Sequence, residues 1–319
     1  MILNAIFIII GFILLLIGAN LLVKGSTNIA TKFHIPEILI GLTIVALGTS
    51  APELIITITS TKIGSSDLIL GNAIGSNLCN ILLILGLIAL IHPIQLDKET
   101  KKFHIPIALF SAIMLLILQI PIYSNSAYVI EKLDGAILLI LFILYFSYPI
   151  FIELKDIIKT YKENKAQKQN INILLSIFFI LLGAILLKFG GDFVVDYSVK
   201  IAEYFKISER VIGLTIIAIG TATPELVTSI IAVIKKDSDL AIGNLIGSCT
   251  LNLLLIIGIG AIITPLNFTF ELNQNLILLI FSTALIFLFN FIDKKNTITR
   301  TKGCILLIIF SIYIVNLFF

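Results

Sequence analysis

One internal duplication constrains this chain more than any other feature. Residues 41–86 align with residues 213–258 at a constant offset of 172, without a gap, and 24 of the 46 positions are identical. The first copy carries GLTIVALGTSAPEL (Gly41 to Leu54) and GNAIGSNLCN (Gly71 to Asn80). The second carries GLTIIAIGTATPEL (Gly213 to Leu226) and GNLIGSCTLN (Gly243 to Asn252). Thr49/Thr221, Pro52/Pro224, Glu53/Glu225, Ser76/Ser248 and Asn80/Asn252 are all matched pairs. The same offset pairs Gly11 with Gly183, Gly18 with Gly190, Ser26 with Ser198, Phe33 with Phe205 and Pro93 with Pro265. The first three apolar runs of each half therefore align throughout. The fourth and fifth align only by position and apolarity.

Those apolar runs set the class of protein. The chain is 58% hydrophobic and 13% charged, with a mean hydropathy of +1.11, against about 25% charged residues in a soluble domain. Runs of about 20 apolar residues recur along its length, which is what a bilayer requires of a spanning helix. Ten spans are expected: 2–23, 36–61, 67–91, 104–121, 134–153, 172–195, 211–234, 239–263, 275–292 and 302–319. The expected fold is an all-α membrane protein. Its first five-helix repeat occupies 1–153, a cytoplasmic linker 154–171 and a second five-helix repeat 172–319.

Five is an odd number of crossings. Homologous halves of five spans must then cross the bilayer in opposite senses, as an inverted-topology repeat. Charge gives an independent check. With the 154–171 loop inside, the inside loops hold 15 of the 22 Lys/Arg and the outside loops 5, with Lys188 and Lys302 falling within spans, in line with the positive-inside rule. Both termini then lie outside. The N-terminus has no basic region or small-residue cleavage pattern before Lys24, so it reads as a retained span rather than a signal peptide. The formal charge of +3 is spread over loops and speaks against a nucleic-acid partner. Cys79, Cys249 and Cys304 form no CxxC, so neither a disulfide nor a zinc site is suggested.

Glu53 and Glu225 carry the chemistry. A bare carboxylate near the bilayer centre costs about 2.5–3.5 kcal/mol on insertion scales. The second, third, seventh and eighth spans hold no Lys or Arg in their interiors to offset it. The carboxylates must be protonated or matched by a bound cation. Pro52 lacks an N–H and crowds the carbonyl of Gly48 four residues earlier, so a break is expected at Gly48–Pro52 and at Gly220–Pro224, freeing carbonyls such as Ala46 and Ala218. Thr49 and Glu53 share a helix face, as do Ser76 and Asn80. Gly71 and Gly75 are expected to permit close helix approach. All these donors are hard oxygens, which suit Ca²⁺ and the similarly sized Na⁺ better than softer metals. Two carboxylates balance one Ca²⁺ or two Na⁺, a physical basis for exchange. Asp192 and Asp196 read as interfacial, solvated groups.

The pair GTSAPE/GTATPE, with GNAIGSNLCN/GNLIGSCTLN, resembles the α-repeats of the sodium/calcium exchanger family, within the wider Ca²⁺/cation antiporter superfamily. The resemblance spans the chain. It implies a core of spans 2, 3, 7 and 8 with spans 1 and 6 sliding across it for alternating access. It implies ion ligands at Ala46 (carbonyl), Thr49, Ser50, Glu53, Ser76 and Asn80, and at Ala218 (carbonyl), Thr221, Glu225, Ser248 and Asn252. It also implies Na⁺ and Ca²⁺ as transported ions, with no cofactor and a self-sufficient monomer, while the compact loops and the lack of an organelle signal fit a plasma-membrane location. Two departures stand out: Ala222 replaces the hydroxyl of Ser50, and Asn252 stands where several members carry Asp, which speaks against K⁺ co-transport. A Ca²⁺/H⁺ antiporter using the same glutamates remains the alternative. A passive channel fits broken inverted repeats less well. The chain has no HExxH or GxSxG, so an intramembrane enzyme is not expected.

Overall fold

The computed structural model describes residues 2–33, 35–62, 64–120, 128–163, 171–205, 218–292 and 296–318. They are overwhelmingly helical. Six helical stretches among them are long and apolar enough to cross a membrane: Leu3–Phe33, Ser66–Ile91, Thr100–Leu118, Ile173–Tyr197, Ser238–Ile263 and Phe270–Phe289. Glu37–Thr49 with Ala51–Lys62 makes a seventh if taken as one span bent by 46°. The chain is a multi-pass membrane protein. Residues 211–217 of the expected seventh span lie outside the described residues.

Several helices outrun the apolar stretches that announced them. The first continues to Phe33, ten residues past the expected end at 23. Lys24, Ser26, Thr27, Asn28, Thr31 and Lys32 end the hydropathy without breaking the helix, and the Thr31 hydroxyl donates back to the Thr27 carbonyl at 2.9 Å. Pro36 follows and excludes a continuous helix. The fifth helix runs from Lys132 to Glu163, into the expected linker, where no Gly or Pro follows Pro149 to stop it. The sixth runs from Ile173 to Tyr204 and pairs Lys188 with Asp192 at 2.7 Å, so Asp192 is ion-paired as well as partly solvated.

The chain forms two compact units, and neither is a sequence half. The first comprises Met1–Ala51 and Leu144–Gly247. The helices Ile2–Phe33 and Ile173–Tyr204 pack in it along a glycine seam. A Cβ on Gly11 would lie 2.9 Å from the Gly190 carbonyl, one on Gly18 2.9 Å from the Gly183 carbonyl, and one on Gly25 2.6 Å from the Ser176 carbonyl. Contacts that run backwards along the partner make the pair antiparallel. They are also reciprocal: the repeat mates Gly183 and Gly190 meet Gly18 and Gly11 in return. Only a residue without a Cβ allows backbones this close.

The second unit comprises Pro52–Ile143 and Ser248–Phe319. Two small antiparallel strand pairs tie its connections, Ile94–Gln95 with Thr297–Ile298 and Val129–Ile130 with Leu266–Asn267. Ile94–Gln95 and Leu266–Asn267 are repeat mates at offset 172, whereas Val129–Ile130 and Thr297–Ile298 are separated by 168. The same shift appears in packing. Gly86 meets the Gly303 carbonyl, and its mate Gly258 meets the Gly135 carbonyl; Gly135 and Gly303 differ by 168. Lys132–Tyr145 against Arg300–Tyr313 then shows seven identities in 14 positions. The fifth spans do align in sequence, four residues out of step, which corrects the expectation that they match by apolarity alone.

Caps recur at matched positions. Ser65 Oγ accepts from Leu68 N at 3.4 Å, and its mate Asp237 Oδ1 accepts from Leu240 N at 3.0 Å. Asp97 and its mate Thr269 cap their helices in the same way. An N-cap is worth about 1 kcal/mol. Asp237 also accepts from the Thr27 hydroxyl at 3.3 Å. Asp237→Ala is therefore expected to destabilise the protein by about 1–2 kcal/mol, and Asp237→Asn to recover most of that, measured by thermal unfolding in detergent.

Candidate cation site

Both repeats break their helix one residue after the matched threonine. Ala46–Thr49 ends at Ser50, with φ −84° and ψ 9°, and Ala51–Lys62 begins next to it. In the second repeat Ala218–Thr221 ends before Ala222, with φ −82° and ψ 2°, and Thr223–Ile234 follows. This is the proline-imposed break expected from sequence. It places Glu53 and Glu225 in the first turn of a new helix, where the helix dipole favours a negative charge. The break does not free the Ala46 carbonyl, however. That oxygen accepts the Ser50 N–H at 2.9 Å and lies 3.3 Å from the Thr49 hydroxyl. The carbonyl that Pro52 cannot satisfy is that of Gly48. The segment before Ala218 lies outside the described residues.

In the first unit, Glu225 is 1% exposed and Ser50 equally so. The Ser50 hydroxyl donates to Glu225 Oε1 at 3.0 Å. A hydroxyl from one repeat thus reaches the carboxylate of the other across 175 residues of chain. Thr49 behaves similarly: its hydroxyl lies 3.0 Å from Asn244 Oδ1, and the Asn244 amide donates to Ser229 Oγ at 3.1 Å. Close backbone approach makes this possible. A Cβ on Gly41 would sit 2.6 Å from the Leu240 carbonyl, and one on Gly247 2.6 Å from that of Leu42. Thr221 is 7% exposed in the same unit.

In the second unit Glu53 is fully buried. Its Oε1 accepts from the Ser76 hydroxyl at 3.3 Å, and its backbone carbonyl accepts from the Asn72 amide at 3.5 Å. Asn80 lies one turn beyond Ser76, and the helix there widens into a π segment, Cys79–Ile84. Asn252 opens the corresponding π segment, Asn252–Ile256, one turn after the buried Ser248. Such π segments are uncommon and concentrate at functional sites. Both amide atoms of Asn80, and Oδ1 of Asn252, are buried and make no hydrogen bond among the described residues. Buried polar atoms in that condition are rare, and a water or an ion is one way to satisfy them.

Sequence reasoning missed Asn72, Asn77 and Asn244. The signal was present, since the doubled GN of GNAIGS and GNLIGS contains Asn72 and Asn244. Among the described residues, a Cβ on Gly71 would meet only Leu272 Cδ2, at 4.0 Å, and one on Gly75 nothing within 4 Å. Their mates Gly243 and Gly247 do make the expected close approach, against Ile38–Ala46. No group of three or more His, Cys, Asp or Glu side chains able to hold a metal occurs among the described residues. Binding here would rest on single carboxylates with hydroxyl and amide oxygens, a hard set.

Comparison with known proteins agrees with this chemistry. The family model described as sodium/calcium exchanger protein matches residues 3–151 and 175–319. The inner membrane protein YrbG of Escherichia coli is 34% identical over 280 residues, covering 83% of this chain and 81% of that protein. The sodium/calcium exchanger MaX1 of Methanosarcina acetivorans is 28% identical over 348 residues, covering 99% of each. A structure of the sodium-calcium exchanger NCX_Mj, soaked with zero Na⁺ and Ca²⁺, superposes with a TM-score of 0.82 at 32% identity, covering 99% of each chain. With matched broken helices, matched buried glutamates and a family model that covers both repeats, the chain belongs to the sodium/calcium exchanger family.

Proposed function

We propose that this protein is a secondary antiporter that exchanges Na⁺ for Ca²⁺ by alternating access. Glu53, Ser76, Asn80, Ser248 and Asn252, with Thr49, Ser50, Thr221 and Glu225, are its cation ligands. The observation that carries the reading is the bond from Ser50 to Glu225. It makes a buried carboxylate of one repeat and a hydroxyl of the other parts of one arrangement. Glu53 and Ser76 form the other arrangement. The Ala46 and Ala218 carbonyls join the ligand set on family resemblance alone, and Ala46 would have to give up its contact with the Thr49 hydroxyl.

The same proposal includes ten spans in two inverted repeats. The antiparallel packing of the mates Ile2–Phe33 and Ile173–Tyr204 supports it, as do the exchanged strand pairs. The strand pairs also join loops assigned to the same side: 92–103 with 293–301 inside, and 122–133 with 264–274 outside. Lys24 and Lys235, both assigned inside, line one cavity of about 370 Å³ with Thr27, Asn28, Glu37 and Asp237. Lys235 is held below the usual lysine range by burial, and then by the charge of Lys24. The termini would lie outside and 154–171 in the cytoplasm of a cell bounded by this membrane, with the monomer as the working unit.

The test is ⁴⁵Ca²⁺ flux in proteoliposomes. An outward Na⁺ gradient is expected to drive Ca²⁺ uptake, and replacing Na⁺ by choline to stop it. Uptake driven by a pH gradient in choline would replace Na⁺ coupling with proton coupling.

A further inference from the structure

We infer that Asn77 is a positioning residue that fixes the polarity of the Asn252 amide, so that Asn252 presents Oδ1 to a transported cation. This rests on the exchanger reading above and adds a residue outside the expected ligand set. Asn77 is fully buried on the helix Ser66–Leu78, and Asn252 is fully buried.

A buried amide has two orientations of nearly equal shape, and its neighbours decide between them. The chain of decisions here starts at a group with no choice. The Cys249 carbonyl can only accept, and Asn77 Nδ2 donates to it at 2.9 Å. Asn77 must then turn Oδ1 to its other neighbour, and the Asn252 amide donates to that oxygen at 3.0 Å. Asn252 Oδ1 is left on the far side, with no hydrogen-bond partner among the described residues. Reversing Asn252 would set N–H aside and bring two oxygens together. Reversing Asn77 would set its oxygen against the Cys249 carbonyl. Backbone polarity is thereby handed through one amide to the next.

The repeat does not reproduce this device. The mate of Asn77 is Cys249, and the mate of Asn252 is Asn80. Neither amide atom of Asn80 is held by a hydrogen bond among the described residues. Among the described residues, one amide is locked with its oxygen outward and the other is not. The two equivalent positions therefore differ in their readiness for a cation. A carboxylate at position 252 would face Asn77 Oδ1 acceptor to acceptor, so the relay favours the amide this chain carries.

The test is a reversal of sign. Ca²⁺ affinity is measured by ⁴⁵Ca²⁺ binding to purified full-length protein at neutral pH, for wild type, Asn77→Ser, Asn252→Asp and Asn77→Ser/Asn252→Asp. Asn77→Ser is expected to weaken Ca²⁺ binding about three- to tenfold in the wild-type background, the range for one lost orienting hydrogen bond. It is expected to strengthen binding in the Asn252→Asp background, because a serine hydroxyl can donate to the new carboxylate where Asn77 Oδ1 cannot. A purely structural Asn77 would weaken binding in both backgrounds, and that result overturns the relay. Asn252→Asp alone decides the matter if Asn77→Ser does not fold. Unchanged or weaker Ca²⁺ binding supports the relay, and tighter binding overturns it. If Ca²⁺ binding is absent from wild type or indifferent to Glu225→Gln, it is the exchanger reading that fails.

Discussion

Glu225→Gln is expected to abolish Na⁺-driven Ca²⁺ flux while leaving the protein folded. The substitution keeps the side-chain shape and an oxygen for the Ser50 hydroxyl, which now donates to Glu225 at 3.0 Å. What it removes is the charge. Losing one partner of a buried charged contact costs about 2–5 kcal/mol, so Ca²⁺ affinity should fall at least about thirtyfold, and flux below detection at micromolar Ca²⁺. Glu53→Gln should behave alike. Ser50→Ala removes only one hydrogen bond to a charged group, worth about 1.5–3 kcal/mol, and should weaken Ca²⁺ without abolishing exchange. Because these two residues touch, their effects should not add. Ser50→Ala should cost much less once Glu225 is already Gln. Flux that persists at wild-type rate in Glu225→Gln would remove the chemical basis of the proposed exchange.

How far such behaviour could be read from sequence differs from residue to residue. Glu53 and Glu225 were legible because a carboxylate in an apolar run is costly and this one occurs twice. The break after Thr49 and Thr221 was legible because proline leaves no alternative. The bond between Ser50 and Glu225 was not, since nothing local to either position names a partner 175 residues away. Helix ends were missed where polar residues keep helical backbone, as from Lys24 to Phe33. Hydropathy reports burial in lipid, whereas a helix stops only when its hydrogen bonds do. The alignment of the fifth spans was hidden by a difference of four residues in length between 97–129 and 269–297, which shifts Gly135 against Gly303 out of the fixed offset. Asn77 was passed over because its repeat mate is a cysteine. A search for symmetry is blind to a residue whose role is asymmetric.

The glycines of the motif are not equivalent, and the structure predicts which of them is indispensable. A Cβ on Gly243 would overlap the Ile38 carbonyl oxygen and lie 3.0 Å from the Gly41 Cα. Those atoms belong to backbone, which cannot rotate away as the end of a side chain can. Overpacking of this kind costs about 1–3 kcal/mol, occasionally more. The displacement also reaches the site, because Asn244, the next residue, meets the Thr49 hydroxyl at 3.0 Å. Gly243→Ala is therefore expected to lower the unfolding temperature in detergent and to reduce Na⁺-driven Ca²⁺ flux at least about tenfold. Gly48 sits closer to the proline break and carries the more obvious sequence signal. Yet among the described residues a Cβ there meets nothing nearer than 3.7 Å, at Ala184 Cβ and Leu22 Cδ1, which is ordinary van der Waals contact. Alanine also favours helix over glycine by about 1 kcal/mol. Gly48→Ala should be stable and transport normally. The reverse ranking, with Gly243→Ala tolerated and Gly48→Ala unfolded, would mean that close backbone contact between Ile38–Leu42 and Gly243–Gly247 does not hold Thr49 and Asn244 in place.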